Sequence, residues 1–312
     1  MASQVTPSRR LVSAVVLGVV IGTVVYRIPP TLGYEAGDLT IPLRAARTLL
    51  KGGAPYGDAS LPPSTRLLYP LPAVLLLMPL AGLSPQVAGA VWAGLGMAIL
   101  SWVAFGRFGV QGLAVAFSRS AVRATALSQW SPLFLLGAVT PAAQVIAAAK
   151  PTLALLVFAY RPTRWAVIGS VVLATLAFFV RPTWLGEWLA QVQGVSSSYA
   201  PAALIWRGGG PLLLLAALRW RRPDARLLLA MAVVPHHYVW YDQLLLFLVP
   251  ERPREVWTLW ALSWLSGVVA GILFARSVAP DLDGRQMAFR APIVALMYLP
   301  CLAMVLRRPN VA

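Results

Sequence analysis

Apolar residues in this chain fall in long, nearly unbroken runs. They show neither the period of two of a half-buried strand nor the single apolar stripe of a soluble helix. The runs cover about 11–28, 67–83, 86–106, 109–119, 129–139, 141–160, 164–180, 199–219, 226–236, 238–250, 256–276 and 290–306. Many approach the roughly 20 residues that a helix needs to cross a ~30 Å hydrocarbon core. They follow one another from Leu11 to Leu306 with no long soluble segment between them. The pattern predicts an all-α, polytopic integral membrane protein, a single domain over residues 1–312 with about 10–12 transmembrane helices. Several runs are too short to cross alone. Pro132, Pro141, Pro151 and Pro235 lie in or beside them, so broken or tilted helices are expected where proline removes a backbone donor.

Two polar stretches interrupt the pattern. Within 29–66, Arg44, Arg47 and Lys51 fall at i, i+3 and i+7, while Leu43, Ala46, Leu49 and Leu50 fill other faces. The spacing describes an amphipathic helix lying in the membrane interface, with Pro42 in its first turn and "KGG" as its stop. A second such piece is "WLGEWLAQVQ" at 184–193, whose tryptophans favour the headgroup level.

Charge orients the chain. Arginines concentrate in "SRR" at 8–10, "RPTR" at 161–164, "RWRRPDAR" at 219–226, "ERPRE" at 251–255 and "RR" at 307–308. With those loops inside, the intervening runs alternate without contradiction and both termini are cytoplasmic. The segments 29–66 and 181–198 and the turn at 235–238 are then external, so Asp38 and His236 share a face of the cell membrane.

Composition agrees: 59% of residues are hydrophobic and 12% charged, against about 25% charged in a soluble domain. A net charge of +16 would suggest nucleic acid in a soluble protein. In short loops between apolar runs the same arginines read as topology signals and contacts to membrane lipids, not to nucleic acid. The one cysteine, Cys301, excludes an intrachain disulfide framework or a cysteine metal site. The opening "PSRRLVSAVVLGVVIGTVVY" has no small-residue cleavage site after it and reads as an uncleaved first helix.

Ionisable groups in apolar surroundings are costly and mark function by default. They are Asp38, Lys150, His236, His237 and Asp242, with Arg181 and Arg207 near the outer ends of runs. Each has a plainer role open to it. Asp38 could cap the interfacial helix, Lys150 could snorkel, His236 could be a packed histidine with Asp242 as its partner, and Arg181 could meet lipid headgroups. No HExxH, no Cys/His cluster and no phosphate loop is present, and "WRGGGPLLLL" lacks the spacing and the strand for the last. A metal site is therefore not expected. A proton-coupled transporter would use Lys150, His236 and Asp242.

The stretch "GDLTIPLRAARTLLKGGAPYGD" resembles the first external loop of the polytopic GT-C glycosyltransferases of glycosyltransferase family 87, the polyprenyl-phosphate-dependent mannosyl- and arabinofuranosyltransferases. An acid and Leu are followed by an Ala-Ala helix, Leu-Leu, Gly and Pro-Tyr. In the family's order follow "LLYPLPAVLLLMPLAGLSPQVAGAVW", "SQWSPLFLLG", "AAAKPTLALL" and "VPHHYVWYDQLLLFLVP", so the resemblance covers roughly 11–250. Ser128 stands where the family has Gly before Gln129, and Ser131 near its usual Asn.

The resemblance implies a GT-C-like fold and inverting transfer of a sugar, on the external face, from a polyprenyl-phosphate-linked donor to a glycolipid or cell-wall polysaccharide acceptor. Asp38 would be the general base. His236, Lys150, Arg181, Arg44 and Arg47 would hold the donor phosphate, with Asp242, His237, Gln129 and Tyr69 as further site residues. No cofactor and no metal is implied. The alternative reading is a lipid or sugar transporter or flippase that uses Lys150, His236 and Asp242 within the spans.

Overall fold

A computed structural model describes residues 6–27, 36–57, 61, 65–194, 203–276 and 290–310. The remaining parts of the 29–66 and 181–198 loops, and the start of the 199–219 run, lie outside the described residues. Among the described residues every regular element is helical, and there is no β-strand.

Among the described residues three helices are long and apolar enough to cross a membrane: α1 (Pro7–Arg27), the stretch Pro85–Ala116, and a 24-residue helix, Pro253–Arg276. The middle one joins the separately expected 86–106 and 109–119 runs. It consists of α4 (Pro85–Phe108), a 3-10 turn and a short α5 (Gly112–Ala116). Before it come α2 (Thr40–Leu50) and α3 (Leu71–Leu77). Then follow α6 (Arg119–Ala126), α7 (Ser131–Val139), α8 (Pro151–Tyr160), α9 (Arg164–Val180), α10 (Trp184–Gln193) and α11 (Pro223–Val233). Pro253–Arg276 is α12, and α13 spans Arg290–Leu306.

Among the described residues only these three helices thus reach spanning length, or four if α9 and α10 are counted as one span bent by 100°. The reason is largely proline. Pro141 opens a 3-10 segment that ends at Ala149, Pro151 opens α8, and α11 stops before Pro235. The expected single helix over 141–160 is therefore two pieces hinged at Lys150, whose φ of −143° and ψ of 82° are not helical. Two more apolar runs, Gly210–Arg219 and Asp242–Leu248, are also 3-10 helices. Runs that long are uncommon for this tighter helix. Both expected amphipathic stretches are helical: α2 is capped by Lys51 ahead of Gly52 at φ +76°, and α10 turns sharply off α9.

Small residues set a close helix contact between α1 and α4. A Cβ on Gly18 of α1 would lie 2.7 Å from the Gly94 carbonyl of α4, and one on Gly94 would lie 2.8 Å from the Gly18 carbonyl. Glycine at both positions, with Gly22 one turn on, lets the two backbones touch.

The arginine-dense loops gather at one end of the molecule. Arg10 donates to the Trp102 carbonyl at 2.6 Å and stacks on its ring. Arg107 reaches the Tyr160 hydroxyl (2.9 Å) and the Leu248 carbonyl (2.6 Å), and Arg226 the Ala159 carbonyl (2.9 Å). Arg222, Asp224, Glu251, Glu255 and Arg308 form an ion-pair network there, with Arg308 2.8 Å from Asp224 and 2.6 Å from Glu255. The other end is marked by Ser128, whose hydroxyl meets the Gly89 carbonyl near the start of α4. Gly89 and Arg107 are about 27 Å apart at the ~1.5 Å helical rise per residue.

Candidate functional site

Asp38 sits in the 3-10 turn Gly37–Leu39 that leads into α2. Gly37 has φ +55°, and a Cβ there would fall 2.9 Å from the backbone of Leu127. This close approach lets the Asp38 amide donate to the Leu127 carbonyl at 3.1 Å. The same reversal after α6 puts Ser128 at φ +50°, the left-handed region that favours glycine.

The Asp38 carboxylate caps no helix, because neither the turn nor α2 has a side-chain cap. It faces inward instead. Its Oδ2 accepts from Gln129 Nε2 and, at 3.5 Å, from the Tyr241 hydroxyl. Gln129 is 1% exposed, and its Oε1 is buried without a hydrogen-bond partner. Half-burial raises the Asp38 pKa above the usual carboxylate range; the Lys150 charge and the bonds from Tyr241 and Gln129 oppose that rise.

Behind Asp38 lies a second carboxylate. Asp242 is fully buried at the start of its 3-10 helix and is satisfied on both oxygens. Lys150 Nζ (3.3 Å) and the Ser131 hydroxyl (3.0 Å) donate to Oδ1, and the His237 amide (2.9 Å) donates to Oδ2. Lys150 also lies 4.8 Å from the centre of the Tyr241 ring. Tyr241 thus bridges the two acids, its hydroxyl on Asp38 and its face on the cation bound to Asp242. Tyr69 adds a hydroxyl beside Gln129 in the field of both carboxylates, and its carbonyl accepts from Tyr56 of "APYGD" at 2.9 Å.

Of the residues expected from the sequence, Asp38, Gln129, Tyr69, Lys150, His237 and Asp242 come together in the fold. Tyr241 and Ser131 join them as direct partners that the sequence does not single out as site residues, although Tyr241 adjoins Asp242 and Ser131 is a noted motif position. Four expected phosphate contacts are engaged by other groups. His236 is 1% exposed, with Nδ1 donating to the Val234 carbonyl (2.8 Å) and Nε2 meeting the Tyr298 hydroxyl (3.1 Å), so neither nitrogen is left for a ligand. Arg44 donates to the Thr65 carbonyl (2.5 Å), and Arg47 to the carbonyls of Ala81 (3.0 Å) and Leu83 (2.5 Å). Arg47 thus satisfies backbone oxygens just past the 3-10 turn Met78–Leu80. Arg181 pairs with Glu187 at 2.6 Å.

Among the described residues no three His, Cys, Asp or Glu side chains group as a metal would need. A groove of about 720 Å³ between α1 and α4 is lined by residues such as Val15, Val19 and Leu95, away from Asp38. Comparison of the chain with protein-family profiles, curated proteins and solved structures finds no match.

Proposed function

We propose that this protein is a multi-pass membrane glycosyltransferase of the GT-C type. It would transfer a sugar from a polyprenyl-phosphate donor to a glycolipid or polysaccharide hydroxyl on the external face of the cell membrane. The observation that carries this reading is the Asp38 carboxylate. It is turned away from the helix it could cap, is only half buried, and is oriented by Gln129 and Tyr241. Two further observations support the family-87 resemblance. The position where the family has glycine, Ser128, has a left-handed φ, and the motif residues Gln129, Lys150 and Asp242 meet around Asp38 although they are far apart in the chain.

The chemistry follows from the charges. The acceptor oxygen attacks the anomeric carbon as the bond from that carbon to the phosphate oxygen breaks. The acceptor proton passes to Asp38, and the polyprenyl phosphate leaves as an anion that needs no proton donor. The same carboxylate eases positive charge developing at the sugar ring. The Gln129 Oε1, buried without a donor, offers a place for a substrate hydroxyl. Orientation comes from the arginine-rich end, which the positive-inside rule puts in the cytoplasm, leaving Asp38 outside.

The test uses purified protein with polyprenyl-phosphate sugars and follows release of polyprenyl phosphate. Asp38→Asn should lower turnover by about 10²–10⁴-fold, the usual contribution of a positioned base, and keep donor binding. Equal release by Asp38→Ala would overturn the base assignment. The buried Lys150–Asp242 pair also favours a second reading, a transporter with an intramembrane relay. That reading expects lipid or sugar movement across vesicles that fails in Asp242→Asn and survives in Asp38→Asn.

A further inference from the structure

The run "IWRGGGP" is not a phosphate loop by spacing, but its fold is specific. At Gly210 a Cβ would fall 1.7 Å from the Leu204 carbonyl oxygen, so the chain folds tightly back on the turn Leu204–Trp206. Gly209 has φ +79°, and a Cβ there would sit 3.3 Å from Val294 Cγ1 and 3.9 Å from Leu299 Cδ1. The loop therefore lies against α13, the helix that begins with Arg290 and carries Tyr298. Arg207 precedes these glycines and is held beside that helix.

Two polar groups converge there without partners. Arg207 Nε is buried and has no hydrogen-bond acceptor. Tyr238 is 3% exposed, and its hydroxyl also lacks a partner. The charges of Arg207 and Arg290 both act on that hydroxyl. Native interiors rarely leave buried donors unpaired, and such groups call for a ligand, an ion or ordered water. Trp206, next to Arg207, is 81% exposed. An exposed indole on an apolar surface belongs at the lipid headgroup level.

The Asp38 cluster cannot itself supply an anion site. Lys150 is neutralised by Asp242, and Asp38 leaves the cluster with a surplus negative charge. Tyr238, however, is three residues from Tyr241, which touches Asp38, so the Cα atoms of the two tyrosines are at most about 10 Å apart.

We propose that Arg207 and the Tyr238 hydroxyl form the binding site for the phosphate of a lipid-linked substrate. The assignment rests on the transferase reading for the donor's identity, but the site stands on its own geometry. It replaces Arg44, Arg47, Arg181 and His236 as the phosphate contact. The guanidinium supplies directed, charge-assisted hydrogen bonds, and the tyrosine adds a neutral donor. The isoprenoid chain lies in the bilayer beside Trp206.

The experiment measures binding of a long-chain polyprenyl phosphate to the full chain in phosphatidylcholine nanodiscs. Arg207→Gln is expected to weaken binding at least about tenfold and Tyr238→Phe about three- to tenfold, the loss of one charged and one neutral hydrogen bond. Arg181→Gln should bind like wild type, and Asp38→Asn equally well or more tightly. Because Tyr238→Phe removes only an unpartnered buried hydroxyl, the ligand-free variant should melt no lower than wild type, so its weaker binding cannot be charged to misfolding. Wild-type affinity in both Arg207→Gln and Tyr238→Phe would overturn the site. Competition by inorganic phosphate at equal concentration would overturn its assignment to a lipid phosphate, as would competition by phosphatidylglycerol for a polyprenyl-linked one. If Arg207→Gln and Tyr238→Phe both bind normally while Asp38→Asn abolishes sugar transfer, the transferase stands and this site falls. If Arg207→Gln loses binding but wild type transfers no sugar, the site stands and the transferase falls.

Discussion

Burial and hydrogen bonding pull Asp38 in opposite directions, and burial prevails. A base must be ionised to accept a proton, so turnover should rise with pH through a midpoint above the ordinary carboxylate range. Gln129 donates to the ionised form, so Gln129→Leu should move that midpoint to still higher pH. A pH–rate profile that does not move would remove Gln129 from the site. The linkage sign is equally definite. A carboxylate whose folded pKa is raised contributes stability below its unfolded pKa, and this is lost as pH rises through the folded value. Near neutrality Asp38 therefore costs stability, and inactive Asp38→Asn should melt at the same temperature or higher in detergent.

Among elements, the hinge before α8 and the Asp242–Leu248 helix are joined by a buried ion pair, Lys150–Asp242. Lys150→Met would strand Asp242 and should cost about 3–5 kcal/mol. Adding Asp242→Asn should recover most of that, as thermal unfolding of the single and double variants would reveal. A loss in the double variant as large as in the single would mean that the pair's charges are not what matters. The contact of α1 with α4 depends on space rather than charge. Gly94→Val drives methyls into the Gly18 carbonyl and should destabilise by about 1–3 kcal/mol. A comparable substitution at Gly82, with nothing within 4 Å, should be nearly neutral.

For the whole molecule, the five arginine-dense loops and the Asp38 cluster occupy opposite ends, which makes orientation testable in intact cells. A membrane-impermeant maleimide should label Gly52→Cys at the end of α2 from outside, and Arg254→Cys only after permeabilisation. The native Cys301 is fully buried and should contribute no background. Labelling of Arg254→Cys alone in intact cells would reverse the proposed topology.

Much of this was legible in the chain. Long apolar runs specify helices in lipid because each backbone group must be satisfied within its own segment. Proline marks the breaks because it has no donor to give, and α2 and α10 follow from local amphipathic spacing and tryptophan placement. The short list of ionisable groups in apolar context located most of the site, since burying a charge is costly wherever it occurs. Partners were not legible. Arg44, Arg47 and Arg181 have the charge to hold a phosphate, yet backbone carbonyls and Glu187 occupy them, and His236 is closed off by Val234 and Tyr298. Those contacts join residues brought near by chain reversals, and periodicity carries no record of distance. Only the tertiary structure turned Asp38 from a helix cap into an inward carboxylate, set Tyr241 between two acids and left Arg207 and Tyr238 unpaired, because hydrogen-bond direction is decided by which segments pack together.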